Sequence, residues 1–136
     1  MTPEADPDTL KCMIKGIEHT AIASPDPARL AQWYVDHLHF TINYQSPNAV
    51  FVKAQNGYML EIIRAEGERA SHGMKDPGLR HLAIAVDDFD SVYGKLRAKG
   101  VRFLAEPLES KGNKVVFFSD PEGNILHLLR RERPLD

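Results

Sequence analysis

The chain has 136 residues, 43% hydrophobic and 26% charged, with a formal net charge of −2. That length supports one domain with its own core, and the near-neutral charge offers no electrostatic footing for nucleic acid or an anionic membrane. No apolar run approaches the roughly 18 residues of a membrane span. The N-terminus lacks the basic-then-apolar order of an export signal. The single cysteine, Cys12, excludes an internal disulfide, so the cytoplasm is the expected compartment.

Residues 1–12 carry prolines and acids with little apolar content and are expected to form a flexible arm. A strand is expected over 17–23. Pro25 and Pro27 bar its continuation, and Asp26 is placed to cap a helix with Pro27 at its first position. Leu30, Trp33, Tyr34 and Leu38 recur at intervals of three and four, which predicts a helix to about His39. Residues 40–45 and 50–53 alternate as strands, separated by Ser46-Pro47-Asn48. Asn56-Gly57 suits a tight turn, and a fourth strand over 58–64 carries Glu61. The first module therefore reads β-α-β-β-β. Residues 65–78, rich in Gly, Pro and charge, are long for a connection and form a linker or a functional loop. The pattern then restarts. A strand is expected over 81–86, followed by a helix capped by Asp88 and ended near Lys99 by Gly100. Further strands are expected over 102–105, 115–119 and 124–130, with Asp120-Pro121-Glu122-Gly123 as a turn. Residues 13–131 thus form a single domain, with modules at about 16–65 and 79–131, and 132–136 form a charged tail.

The two modules match residue by residue. His19-Thr20-Ala21-Ile22-Ala23 answers His81-Leu82-Ala83-Ile84-Ala85 at an offset of 62 (81 − 19). Val50, Gly57 and Glu61 answer Val116, Gly123 and His127 at an offset of 66 (127 − 61). The difference of four predicts a small insertion inside the second module. Because strand side chains alternate faces, His19, Ala21 and Ala23 share one face and Thr20 and Ile22 the other. The same holds for His81, Ala83 and Ala85 against Leu82, Ile84 and Val86. The bulky face suits packing on a helix, and the small face leaves room. Glu61 and His127 point opposite to their apolar neighbours Leu60, Ile62, Leu126 and Leu128. Each module thus offers two polar side chains on an open face, where burial is costly unless they are paired or bind a metal. Three imidazoles and a carboxylate suit zinc, nickel, iron, manganese or cobalt as a divalent ion. A hydrogen-bonded, metal-free polar cluster is the alternative.

Other polar residues carry less. His37 and His39 end a helix and are expected to cap it or face solvent. Trp33 and Tyr34 are expected in the core. Cys12 has no activating partner. Lys114 shares strand parity with Phe118 and is a candidate for holding an anionic substrate, against a plain surface role. His72 in the 65–78 loop is a lid candidate on the same terms.

The run from Arg80 to Asp88 and the run from Phe117 to His127 resemble the vicinal oxygen chelate superfamily, which includes glyoxalase I, methylmalonyl-CoA epimerase, fosfomycin-resistance enzymes, extradiol dioxygenases and bleomycin-binding proteins. The resemblance covers about residues 16–131. It implies an α+β fold of paired βαβββ modules forming a half-open β-barrel around a cavity, commonly in a homodimer. Metal positions in the family fall on the first and fourth strands of each module, here His19, Glu61, His81 and His127. Family members usually carry glutamate where this chain has His127, so Glu61 alone remains for proton transfer. The implied activity is that of a metal-dependent enzyme that chelates a small oxygenated substrate and stabilises an enolate, with Glu61 as base. An iron or manganese dioxygenase is the alternative, and a metal-free protein that sequesters a ligand is a third reading. The fold hosts several chemistries, so the motif assigns the superfamily better than the reaction.

Overall fold

Asp26 accepts a hydrogen bond from the Arg29 amide at 3.2 Å, and Asp88 accepts one from Ser91 at 3.2 Å. These caps satisfy amides that the first turn of a helix leaves without partners. In the computed structural model, which describes residues 7–69 and 73–135, each cap opens the one long helix of its module. His72 lies outside the described residues.

Helix α1 (Pro7–Met13) falls where the sequence suggests a loose arm. The first module follows as β1 (His19–Ser24), α2 (Pro27–Leu38), β2 (Thr41–Ser46), β3 (Ala49–Lys53) and β4 (Met59–Arg64). The second comprises β5 (His81–Ala85), α3 (Phe89–Ala98), β6 (Arg102–Phe103), β7 (Leu108–Ser110), β8 (Asn113–Ser119) and β9 (Ile125–Arg130). The sheets run in the order β1-β4-β3-β2 and β5-β9-β8-β6, with β7 also on β8. In each sheet the first strand of the module lies parallel to its last. This is an α+β fold of two βαβββ modules, and the sheets do not close on themselves. The four-residue insertion is accounted for by β7. Where the first module has one continuous β2, the second has β6 and then a hairpin of β7 with β8, turned at Lys111 and Gly112 with positive φ (54° and 81°).

The bulky faces meet the helices as parity predicts. Tyr34 and Leu30 of α2 are buried with Val50, Val52, Leu60 and Ile62, and Phe89 and Leu96 of α3 with Val116, Phe118, Leu126 and Leu128. Full burial of one such aliphatic side chain contributes about 1.5–3 kcal/mol, so this layer holds each module together. No described helix is long and apolar enough to cross a membrane.

Among the polar contacts between the modules, which include Lys99 Nζ donating to the Asp36 carbonyl at 2.6 Å, two centre on the turn before β9. The fully buried Tyr34 hydroxyl donates to Asp120 Oδ2 at 2.8 Å, and the Ser24 hydroxyl donates to Glu122 Oε2 at 2.7 Å. Asp120 also accepts from the amides of Glu122 and Asn124 and from Asn124 Nδ2 (2.9, 3.0 and 2.7 Å). One buried carboxylate therefore shapes the turn before β9 and anchors it to the other module. Burial, and then the Asp120 carboxylate, push the Tyr34 phenol well above its usual range, so it remains a donor. Tyr34→Phe removes one donor and leaves Asp120 three, and should cost about 1–2 kcal/mol in urea unfolding. Asp120→Ala orphans the buried hydroxyl and the turn amides together, and should cost about 3 kcal/mol or more. Equal costs would show that the carboxylate is not the centre of the network.

Candidate metal centre

In β1, His19, Ala21 and Ala23 are exposed, while Thr20 and Ile22 are half-buried and Ser24 is buried. In β5, His81, Ala83 and Ala85 are exposed while Leu82 and Ile84 are half-buried. The open face predicted from alternation is therefore the face without a helix. The parallel pairing sets Ala21 against Glu61 and Ala83 against His127. The histidine two residues earlier lies on the same face as that polar residue.

In the first module, His19 Nε2 is 3.5 Å from Glu61 Oε1. Its other nitrogen, Nδ1, is 3.0 Å from Glu18 Oε1, and that carboxylate accepts the ring proton. In the neutral ring this tautomer turns a bare Nε2 lone pair toward a carboxylate oxygen. Two acceptors converging in this way suit a cation. In the second module the rings of His81 and His127 lie 4.5 Å apart at 69°. His127 is 9% exposed, and neither of its buried ring nitrogens has a hydrogen-bond partner. Burial, then the neighbouring His81, then Arg131, lower its pKa from 6.5 to about 4. Two orphaned nitrogens on a neutral ring fit a metal ligand, since imidazole binds metals in its neutral form.

The four residues form two pairs, one on each sheet. Among the described residues no three of His, Cys, Asp or Glu gather closely enough to hold one ion. Lys114 is on the face of Val116 and Phe118, as parity requires, but that face is covered by α3. Its Nζ pairs with both oxygens of Asp90 at 3.3 Å, which places it behind the sheet rather than on the open face. His37 stacks on Trp33 at 4.8 Å, and His39 closes α2 in the left-handed conformation (φ 58°).

Two residues that sequence reasoning passed over stand beside the pairs. Phe51 meets the His19 ring edge-on (5.3 Å, 74°), and Phe117 meets His81 edge-on (5.6 Å, 85°) and stacks on His127 (5.0 Å, 16°). They match at the same offset of 66 (117 − 51) that links Glu61 to His127. That match was the available signal, masked by the habit of assigning phenylalanine to the core.

In metal-free protein, His127 should make stability depend on pH. Its folded pKa lies below the unfolded value, so the unfolded chain binds the extra proton between about 6.5 and 4. Stability is then fully present above pH 6.5, falls as pH drops through that window, and levels off below pH 4, by about 3 kcal/mol in all. Urea unfolding across this range should show the slope, and His127→Leu should remove it. A slope that persists in the variant would assign the effect elsewhere.

The fold agrees with what comparison finds. The YaeR protein of Escherichia coli K12 is 32% identical over 130 residues, covering 85% of this chain and 95% of that protein. A protein of Synechocystis sp. PCC 6803 described as a probable lactoylglutathione lyase is 30% identical over 127 residues, covering 87% and 97%. Among solved structures, Oxidase ChaP-H2 superposes with a TM-score of 0.69 at 26% identity, covering 88% and 94%. The family model described as Glyoxalase/Bleomycin resistance protein/Dioxygenase superfamily matches residues 16–128, and the chain belongs to that superfamily.

Proposed function

We propose that the protein is a divalent-metal enzyme of the glyoxalase type, acting on a small oxygenated substrate, with its site completed by a second copy of the chain. One observation carries the reading. Each sheet presents one pair of donors on its open face, and the two pairs of one chain do not converge. A C₂ homodimer that sets the first module of each chain against the second module of the other would assemble two equivalent sites. The open faces also leave apolar groups in water, including Tyr44 (57% exposed) and Ile63 (36%), with Ile17 (77%) and Leu79 (84%) just ahead of β1 and β5. Contact with a second copy would relieve that exposure. The similarity to a probable lactoylglutathione lyase supports the reaction class.

His19, Glu61, His81 and His127 would hold the ion, which when bound supplies Lewis-acid polarisation to neighbouring substrate oxygens. Ala21, Ala23, Ala83 and Ala85 leave the space above the strands for the substrate. Glu61, half-buried beside Ala21 and Phe51, is the one carboxylate among the four residues and takes the proton from substrate carbon. A second reading, oxidative chemistry with iron or manganese, is favoured by the likeness to Oxidase ChaP-H2.

Mixing tests the shared site. A His19→Ala, Glu61→Ala double variant and a His81→Ala, His127→Ala double variant should each lose bound metal. Combined through unfolding and refolding, random pairing should restore about a quarter of the wild-type occupancy, because half the dimers would carry one intact site of two. No recovery would place the site within one chain. Glu61→Gln keeps a carbonyl oxygen but cannot take up a proton. Isomerisation of the hemithioacetal of glutathione and a 2-oxoaldehyde to its lactoylglutathione-type thioester should drop by about 10²–10⁴-fold with a smaller loss of metal, and turnover within a few-fold of wild type would remove Glu61 as the base.

A further inference from the structure

The open faces carry one aromatic ring per module in register with the polar pair. Phe51 pairs across the strands with Glu61, and Phe117 with His127. The neighbours of these rings along the strands, Val50, Val52, Val116 and Phe118, are buried under the helices, whereas Phe51 and Phe117 are only half-buried on the side that bears no helix. A large apolar ring left partly in water twice, at repeat-matched positions, is not explained by the core.

What the rings touch explains them. A metal-binding imidazole needs a fixed ring plane, normally set by a hydrogen bond from its second nitrogen. His19 has such a bond, through Nδ1 to Glu18. The other two rings lack one: His127 has no partner for either nitrogen, and the ring of His81 makes no hydrogen bond among the described residues. Both lie against Phe117 instead, His81 edge-on and His127 face to face. Edge-to-face and offset-stacked geometries are the preferred ways for rings to meet, and each resists rotation about the imidazole's terminal bond.

We propose that Phe51 and Phe117 are positioning residues that fix the planes of the histidine rings, with Phe117 carrying the second module's pair alone while Phe51 shares the task with Glu18. This rests on the metal-binding reading above and extends it with an asymmetry that the reading does not contain. Loss of the ring should cost the second module more than the first.

The probe is cobalt(II) alone, bound to the otherwise intact protein in competition with a chelator and followed by its visible absorption. Phe117→Leu should weaken cobalt binding by about tenfold, the lower end of the range for losing a group that orients a metal ligand, and should broaden or shift the absorption bands. Phe51→Leu should stay within about threefold on the same scale, because the Glu18 bond remains. Phe117→Tyr, which keeps the ring face, should restore wild-type affinity and spectrum. A parallel measurement needs no metal. Imidazole side-chain relaxation in the metal-free protein should show the His81 and His127 rings loosened in Phe117→Leu, and in Phe51→Leu those two rings unchanged and the His19 ring loosened to a smaller degree. Unchanged affinity and ring order in Phe117→Leu, or equal losses in the two leucine variants, would overturn the proposal. If the wild-type protein takes up no cobalt, the metal reading fails, and the ring order of the metal-free variants still decides the role of Phe117. Should Phe117→Leu not fold, Phe117→Met takes its place beside Phe117→Tyr, with the same outcomes deciding.

Discussion

The parallel pairing of the first strand of each module with its last is the constraint on which the rest depends. A parallel neighbour cannot be reached by a tight turn, so the chain needs a crossover, and here it is α2 or α3 with the intervening strands. The crossover puts the helix on one face and leaves the other free. The same pairing sets Ala21 beside Glu61 and Ala83 beside His127. A shift of one residue would turn both donors into the helix layer. The large buried residues Ile62, Leu60, Leu126 and Leu128 hold that register, because only one alternation puts all of them inside. Core packing and site geometry are thus one decision, taken on opposite faces of the same strands.

The free face works because it is poor in volume. Two alanines follow each histidine on the open face of the first strands, so nothing after it on those strands covers the polar groups. In the second module this leaves a desolvated imidazole with no protein partner, a cost of the order of 1–3 kcal/mol for an unsatisfied buried polar group that the module bears by stacking the ring on Phe117. In the first module Glu18 and Glu61 divide the two nitrogens of His19 between them. The second pair is accordingly the less stable arrangement without a ligand, and the more demanding of one.

Much of this was legible in the sequence, and the reasons differ by residue. Alternation placed His19 and His81 on the small face because parity is fixed by strand geometry and does not depend on tertiary context. The caps at Asp26 and Asp88 were readable because capping is local. That the four donors form two separate pairs was not readable, since it depends on how two sheets are set relative to each other, and that setting rests on contacts such as Tyr34–Asp120, 86 residues apart. Tyr34 was assigned to the core correctly, but its hydroxyl partner has no sequence signature. Lys114 shows the limit of parity: alternation says which residues share a face but not which face a helix will cover. β7 went unread because three residues, all exposed, carry no periodic signal, and only the changed offset between the modules betrayed the insertion.

The tie between the modules has no mirror image. Applying the repeat offsets to Tyr34 and Asp120 leads to Leu96 and Ala54, and applying them to Ser24 and Glu122 leads to Val86 and Asn56, so none of the partner positions repeats the acid–hydroxyl match. A chain made of two like halves could in principle join them through two equivalent pairs of contacts, and among the described residues the acid–hydroxyl match occurs at one place alone. Each half is a tile whose strands, among the described residues, pair only with one another. Each tile can exchange its own donor, glutamate at position 61 and histidine at position 127, without disturbing the register of the other. Such independence lets one scaffold diversify its chemistry half a site at a time.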